Sequence, residues 1–276
     1  MKTIFITGAS TGLGKAVAKL FHAKDWNVIA TMRNPEKETE LTQLKNITLL
    51  KLDVTDPDQI KTVVSHATQK HSIDLVLNNA GYGLLGPLEA FTDGQITRQL
   101  DTNLLGAIRV TQAFIPHFRE KNNGMFINIT SMFGLLGYPI CSLYNATKWG
   151  LEGFSECLAY DLAHFNIKVK TIAPGGIQTD FASRSLDMAL HPAYQKLVEK
   201  VSEGYSAEKL SLYSTAEQIA AIVYTAATDG KDQLRYIAGH DAIALYNERL
   251  ENGPEAQYRR IQAQFAYWVF PSPCTR

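Results

Sequence analysis

The sequence predicts an α/β fold: one open, doubly wound parallel sheet of about seven strands, with helices on both faces. Three observations carry this expectation. Short runs rich in β-branched and aromatic residues recur along the 276 residues, each followed by a longer segment of helical periodicity. Those runs hold few charges, as strands covered on both faces require. A glycine-rich turn joins the first run to the first helical segment.

The first strand is read at 2–7, and after the turn a helix over 14–23 places Val17, Leu20 and Phe21 on one stripe. Strands follow at 27–32 and 48–52. Thr55-Asp56-Pro57 then opens a helix over 58–71, with Pro57 suited to a first helical turn. A strand at 74–78 precedes one long helix over 93–121, and a strand at 124–129 precedes another over 142–165. Strands at 168–172 and 235–238 complete the set. Residues 181–214, between these last two, are mixed in polarity and read as an irregular substrate loop without a strand. From residue 251 the chain is polar and helical over 254–264, then aromatic and proline-bearing over 265–271. That ending is expected to pack on its own domain or on another subunit. No repeat or linker divides the chain, so one domain is assigned to 1–250, followed by an extension over 251–276.

Composition narrows the class. Lysine plus arginine (27) equals aspartate plus glutamate (27), which gives no concentrated positive surface for nucleic acid. Cys141, Cys157 and Cys274 form no C-x-x-C pair and suggest reduced thiols rather than a disulfide framework. The seven histidines never pair with Cys or Glu at ligand spacing, so no metal is expected. No stretch approaches the ~20 apolar residues of a membrane span, and the N-terminal apolar run is too short for a signal peptide. A cytoplasmic protein with a small-molecule partner, and no membrane partner, is expected.

The turn reads Thr7-Gly8-Ala9-Ser10-Thr11-Gly12-Leu13-Gly14. Glycines at a strand-to-helix junction allow a tight turn, close approach of backbone to a pyrophosphate, and close helix–strand packing. The free N–H groups of the helix N-terminus then face the phosphate charge. The spacing is T-G-x-x-x-G-x-G rather than G-x-G-x-x-G. Further motifs follow in order: Leu52-Asp53-Val54-Thr55, Asn78-Asn79-Ala80-Gly81, Asn103, Pro174-Gly175-Gly176-Ile177-Gln178-Thr179 and Gly239-His240-Asp241-Ala242.

With these motifs, matched from residue 3 to about 180, the chain resembles the short-chain dehydrogenase/reductase superfamily. The resemblance implies a Rossmann-type sheet and a nicotinamide cofactor. It places cofactor contacts at Gly8, Ser10, Thr11, Gly12, Leu13 and Gly14 in the turn, and at Asp53 and Val54 beside the adenine. Further contacts are implied at Asn79, Ala80 and Gly81, and at Pro174, Gly175, Ile177 and Thr179. A homodimer or homotetramer packing through the two long helices is implied as well.

The second strand ends Ala30-Thr31-Met32-Arg33-Asn34. A free ribose 2′-hydroxyl favours an acidic partner here, and a 2′-phosphate favours arginine. No Asp or Glu occupies 31–34, and Arg33 offers a planar, bidentate contact. NADP(H) is therefore expected over NAD(H).

Tyr144 and Lys148 are four apart in a helical segment, which puts both on one face. An ordinary phenol, with a pKa of about 10, is a poor base at neutral pH. A neighbouring ammonium, joined by an oxidised nicotinamide, is expected to lower that value. Ser131 follows the fifth strand at the carboxyl edge of the sheet, where ligands bind in such folds. The resemblance assigns Ser131 to the substrate oxygen, Tyr144 to proton transfer, Lys148 to the tyrosine and the cofactor ribose, and Asn103 to a water relay. Phe133, Tyr138 and Gly175 are expected beside the substrate, with Ser131 and Tyr144, among apolar neighbours such as Met132 and Ile140. A hydrophobic alcohol and its ketone or aldehyde fit that lining. Local similarity to 17β-hydroxysteroid and retinol dehydrogenase-like members points the same way. Two alternatives stand beside this reading: an extended-family nucleotide-sugar epimerase or dehydratase, and an NADP(H)-binding redox regulator without turnover.

Overall fold

The computed structural model describes residues 1–178 and 186–266. Its main sheet is built from β1 (Thr3–Ile6), β2 (Asn27–Met32), β3 (Ile47–Lys51), β4 (Leu75–Asn78), and then, past a short β5 (Gly83–Leu85), β6 (Gly124–Ile129) and β7 (Ile167–Pro174). Past three two- or three-residue strands, β8 (Ile177–Gln178), β9 (Leu186–Met188) and β10 (Ser214–Thr215), the seventh sheet member is β11 (Arg235–Ala238). Every pairing is parallel, and the order across the sheet is β3-β2-β1-β4-β6-β7-β11. The chain winds outward from β1 to β3, then returns to β4 on the other side of β1. That reversal opens a crevice at the carboxyl ends of β1 and β4.

The apolar runs form strands because both faces of the sheet are covered. Along β1, Ile4 and Ile6 point into one core while Phe5 points into the other. The first core lies under α1 (Gly12–Ala23) and the helix Ala216–Thr228. The second lies under α2 (Pro57–Lys70), α4 (Gly106–Lys121) and α5 (Ser142–Ala163), where Phe114, Phe118 and Phe126 pack ring to ring. Pro57 occupies the first turn of α2, and the Asp56 side chain caps it by accepting from the amides of Asp58 and Gln59.

Two expectations need correction. The long helix over 93–121 runs its expected length but is not α-helical throughout: α3 (Asp93–Leu100) passes into a π-helical turn over Asp101–Leu105 before α4 begins. The turn carries buried Asn103, whose amide bonds outside its own helix to the backbone of Tyr82. The segment 181–214 is also less irregular than expected. Among the described residues it holds β9, which pairs with β5, and a helix over Gln195–Ser202 that buries Val201. Ser214 begins β10, which pairs with β8. A three-residue strand is too short for its period to register. No helix among the described residues is long and apolar enough to cross a membrane.

Lys170 on β7 shows how the edge of the sheet is fastened. Its side chain is 2% exposed, and its Nζ donates to Ala226 O at 2.8 Å, to Tyr236 OH at 3.0 Å and to Asp229 Oδ1 at 3.2 Å. Lys170→Met keeps most of the volume but leaves these acceptors without their donor. We expect a loss of ~2–4 kcal/mol, read as a lower urea unfolding midpoint at unchanged slope.

Candidate active site

The glycine turn is shaped by a neighbour that leaves no space for side chains. Gly8 has φ +68° and Gly12 φ +53°, both in the left-handed region. A Cβ on Gly8 would lie 2.8 Å from Ala80 Cα, and one on Gly14 would lie 2.3 Å from Gly8 O. Asn79 stitches the turn in place, its Nδ2 donating to Thr7 O at 3.0 Å and to Gly8 O at 2.9 Å. The Thr7 hydroxyl in turn accepts from the amides of Asn79 and Ala80. The expected motifs at 8–14 and 79–81 thus meet. Leu13 buries its side chain in the first core, so it can present only backbone.

Thr11 is the N-cap residue of α1 and makes no side-chain capping bond. The first amides of the helix therefore lack the side-chain partner that a capping threonine usually supplies. Ser10 and Thr11 line a cleft of about 240 Å³ together with Lys15, Met32, Asn34, Lys37, Glu38 and Thr39. Arg33 is exposed between the lining residues Met32 and Asn34. Glu38 brings a carboxylate into this cleft that the sequence reading missed. Both its oxygens are engaged, one by Lys15 at 3.0 Å and the other by the amides of Glu40 and Leu41. Across the crevice, Asp53 Oδ1 accepts from the amide and hydroxyl of Thr55. Val54 is buried against Gly106.

Past β7, Pro174 is the last residue paired to β11, and Gly175 donates to Ala238 O. Asp241 then holds the following loop: its Oδ2 accepts from Gly176 N at 2.7 Å, and a Cβ on Gly175 would collide with its carboxylate. The signal for Asp241 lay in the Gly239-His240-Asp241-Ala242 motif, whose role spacing alone does not reveal. Ile177 lies on β8, and Thr179 falls outside the described residues.

Ser131, Tyr144 and Lys148 converge at the carboxyl end of β6. Ser131 ends the strand with extended backbone, and its Oγ accepts from Phe133 N at 3.1 Å. Its hydroxyl lies near enough to the Tyr144 phenol to favour the ionised form against burial. Lys148, one turn along α5, is buried with Nζ 5.7 Å from the centre of the Tyr144 ring, and it donates to Ile129 O at 2.9 Å. Asn103 sits nearby on the π-helical turn against which α5 packs. Its Oδ1 accepts from Tyr82 N at 3.0 Å and its Nδ2 donates to Tyr82 O at 2.8 Å, which clamps the loop that follows Asn79–Gly81.

Burial pushes the Tyr144 phenol up to about 12, with the Ser131 hydroxyl acting in the other direction. The Lys148 ammonium is directed at a backbone carbonyl, Ile129 O. Burial also draws the Lys148 ammonium down to about 8, opposed by the charge of Glu152 one turn further along α5.

The substrate side is aromatic. Phe133 meets Tyr144 edge-on at 6.4 Å between ring centres and stacks on Tyr138 at 5.0 Å. Tyr138 in turn meets Phe265 at 5.3 Å. Phe265 and Ile261 belong to the helix Pro254–Phe265, which packs back onto this side of the domain beside Leu136, Ile140 and Cys141. The aromatic residues after Ala266 lie outside the described residues.

A family model for short chain dehydrogenases matches residues 2–189. The chain belongs to that family. Oxidoreductase BOA17 of Botryotinia fuckeliana is 35% identical over 255 residues, covering 91% of this chain and 93% of that protein. Human retinol dehydrogenase 8 is 34% identical over 194 residues, covering 67% and 62%. Among solved structures, a short-chain dehydrogenase from Streptomyces avermitilis superposes with a TM-score of 0.84 at 29% identity, covering 95% of this chain and 96% of that one. A structure of ElxO with NADP bound superposes with a TM-score of 0.71 at 28% identity, covering 86% and 97%. This short-chain dehydrogenase is accordingly an oxidoreductase that acts on CH–OH groups.

The raised phenol has a measurable consequence. In 13Cζ-tyrosine NMR near pH ~10.5, where an ordinary phenol is more than half ionised, the Tyr144 signal stays at its protonated position. The sign for stability follows. The folded chain holds this proton longer than the unfolded one, so the contribution is intact below pH ~10 and declines as pH rises towards about 12.

Proposed function

We propose that this short-chain dehydrogenase binds NADP(H) and interconverts a hydrophobic alcohol with its ketone or aldehyde, Tyr144 acting as general acid or base. The observation that carries the reading is the convergence of Ser131, Tyr144 and Lys148 at the end of β6, beside a turn built for close backbone approach. When bound, the nicotinamide supplies or accepts the hydride. In the reducing direction the Ser131 hydroxyl and the Tyr144 phenol donate hydrogen bonds to the carbonyl oxygen. Tyr144 then gives up its proton, and a phenol held neutral by burial is suited to that step. In oxidation the same phenol must first lose its proton, which requires a positive charge brought against it. Lys148, buried and one turn away, holds such a charge below pH about 8. Asn103 keeps Tyr82 and the 79–81 loop in place, and from there a water relay to Lys148 is the role proposed for it.

The preference for NADP(H) rests on the adenosine end of the cleft. Ser10, Thr11, Lys15, Asn34 and Lys37 line it, with Arg33 at its rim, and the Glu38 carboxylate is already paired with Lys15 and two backbone amides. The NADP-bound ElxO neighbour agrees with this assignment. Apolar lining from Phe133, Tyr138, Ile261 and Phe265 favours a hydrophobic substrate, in keeping with the named retinol activity of one relative. Self-association as a homodimer or homotetramer through the long helical segments 93–121 and 142–165 is part of the proposal, and exposed Trp149 and Tyr160 on α5 support it.

Two measurements test the reading. A panel of hydrophobic ketones and alcohols, followed by nicotinamide absorbance, is expected to show turnover that Tyr144→Phe reduces at least ~1,000-fold while NADPH still binds. Tight NADPH binding without any turnover would instead support the redox-regulator alternative. Separately, Arg33→Ala is expected to weaken NADPH binding by roughly 10- to 100-fold and leave NADH nearly unchanged. Equal losses for both cofactors would remove the 2′-phosphate assignment.

A further inference from the structure

Glu152 is a buried carboxylate that the mechanism above does not use. It lies on α5 four residues after Lys148 and eight after Tyr144, so the three share one face of the helix. Its side chain is 5% exposed, and it accepts from groups on three strands or strand ends. Thr130, the residue before Ser131, donates its hydroxyl to Oε1 at 2.5 Å. Thr171 on β7 donates to Oε2 at 3.3 Å, and Arg235 on β11 donates Nε to the same oxygen at 2.8 Å. A buried charge is costly to retain and is tolerated where it is fully bonded. This one is bonded to the strand end that presents Ser131.

We propose that Glu152 is a positioning residue for the Ser131–Tyr144–Lys148 set, anchoring the end of β6 through Thr130 and supplying the counter-charge to Lys148, with Arg235 moderating that charge. The proposal rests on the reading of Lys148 and Tyr144 given above. Other charged groups around Lys148 are turned elsewhere. Lys168 and Asp93 are exposed, and Lys170 is bonded to Ala226, Asp229 and Tyr236. Asp101 pairs with Arg109, and Arg98 pairs with Asp187. Arg249 lies over the Trp149 ring, and Glu156 pairs with Arg235 at 3.5 Å. The Cys141 thiol is pushed by burial to about 12 and stays neutral. Glu152 is the carboxylate whose charge acts on the ammonium, holding up a proton affinity that burial has reduced.

Two substitutions move Lys148 in opposite directions, which damage to the fold would not do. Glu152→Gln preserves shape and an acceptor for Thr130 but removes the charge, and Arg235→Gln leaves the charge unmoderated. The 15Nζ signal of Lys148, assigned by its loss in Lys148→Met, is titrated in lysine-labelled protein. In Glu152→Gln the midpoint is expected to fall by about one pH unit, a tenfold weaker hold on the proton, and in Arg235→Gln to rise. The pH limb of kcat/KM for NADPH-dependent ketone reduction is expected to follow each shift. Midpoints unmoved in both variants would overturn the proposal, as would a moved titration with an unmoved pH–rate limb. If Glu152→Gln fails to fold, the rise in Arg235→Gln still decides. The titration needs no substrate, so a wild-type protein without turnover would count against the proposed function and leave the coupling to be judged on its own.

Discussion

A parallel sheet covered on both faces has nowhere to display chemistry except at the ends of its strands. The backbone of β1, β4, β6 and β7 is engaged in the ladder, and its side chains fill the two cores. The polar groups assembled into the site therefore emerge where those strands stop: Thr7 and Gly8 after β1, Asn79 after β4, Ser131 after β6, Gly175 after β7. Their mutual distances are set by strand spacing and register rather than by loop conformation. This makes the site rigid without requiring a rigid surface, and it explains why one turn can be shaped by another far away in sequence, as Gly8 is by Ala80.

How much of this was legible beforehand follows from the same geometry. All seven strands of the main sheet were readable, because burial on both faces demands runs of apolar residues that little else in a sequence produces. Tyr144 and Lys148 were readable as a helical pair. The π-helical turn was not, because Thr102, Asn103 and Leu104 are unremarkable in a helix and the insertion leaves no mark on polarity. Nor was the direction of the Tyr144 shift. It depends on how deeply the phenol is buried, and spacing along a helix fixes a face but not a depth. Lys15 and Lys37 belong to no motif, and only the fold brings them to the same cleft as Ser10. Glu152 was hidden for a related reason, since a glutamate in a helix usually faces water.

A third apolar cluster, apart from the two that sandwich the sheet, lies beside Phe133 and Tyr138 at the end of the sheet where Ser131 and Tyr144 meet. It draws Leu85 from β5, Val201 from the helix Gln195–Ser202, and Ile261 and Phe265 from the last described helix. These pieces come from distant parts of the chain and share no backbone ladder with the main sheet. The two cores beneath α1 and α2 hold the strand ends that carry the glycine turn. Rings in sequence from Tyr144 through Phe133 and Tyr138 to Phe265 nevertheless give the last described helix a packed connection to the phenol.

The π-helical turn has a consequence for how this region tolerates change. An ordinary helix is a rigid screw: shifting one residue rotates everything beyond it by ~100°. Here the extra residue acts as a phase break between α3, whose Arg98 and Gln99 serve the Tyr82 loop, and α4, whose Val110, Phe114 and Phe118 serve the sheet. Each half keeps its own angular setting, and Asn103 stands at the seam. A one-residue deletion at the seam would let α3 and α4 run on as one α-helix with both faces still aimed, and what it would remove is the bulge that turns Asn103 towards the backbone of Tyr82.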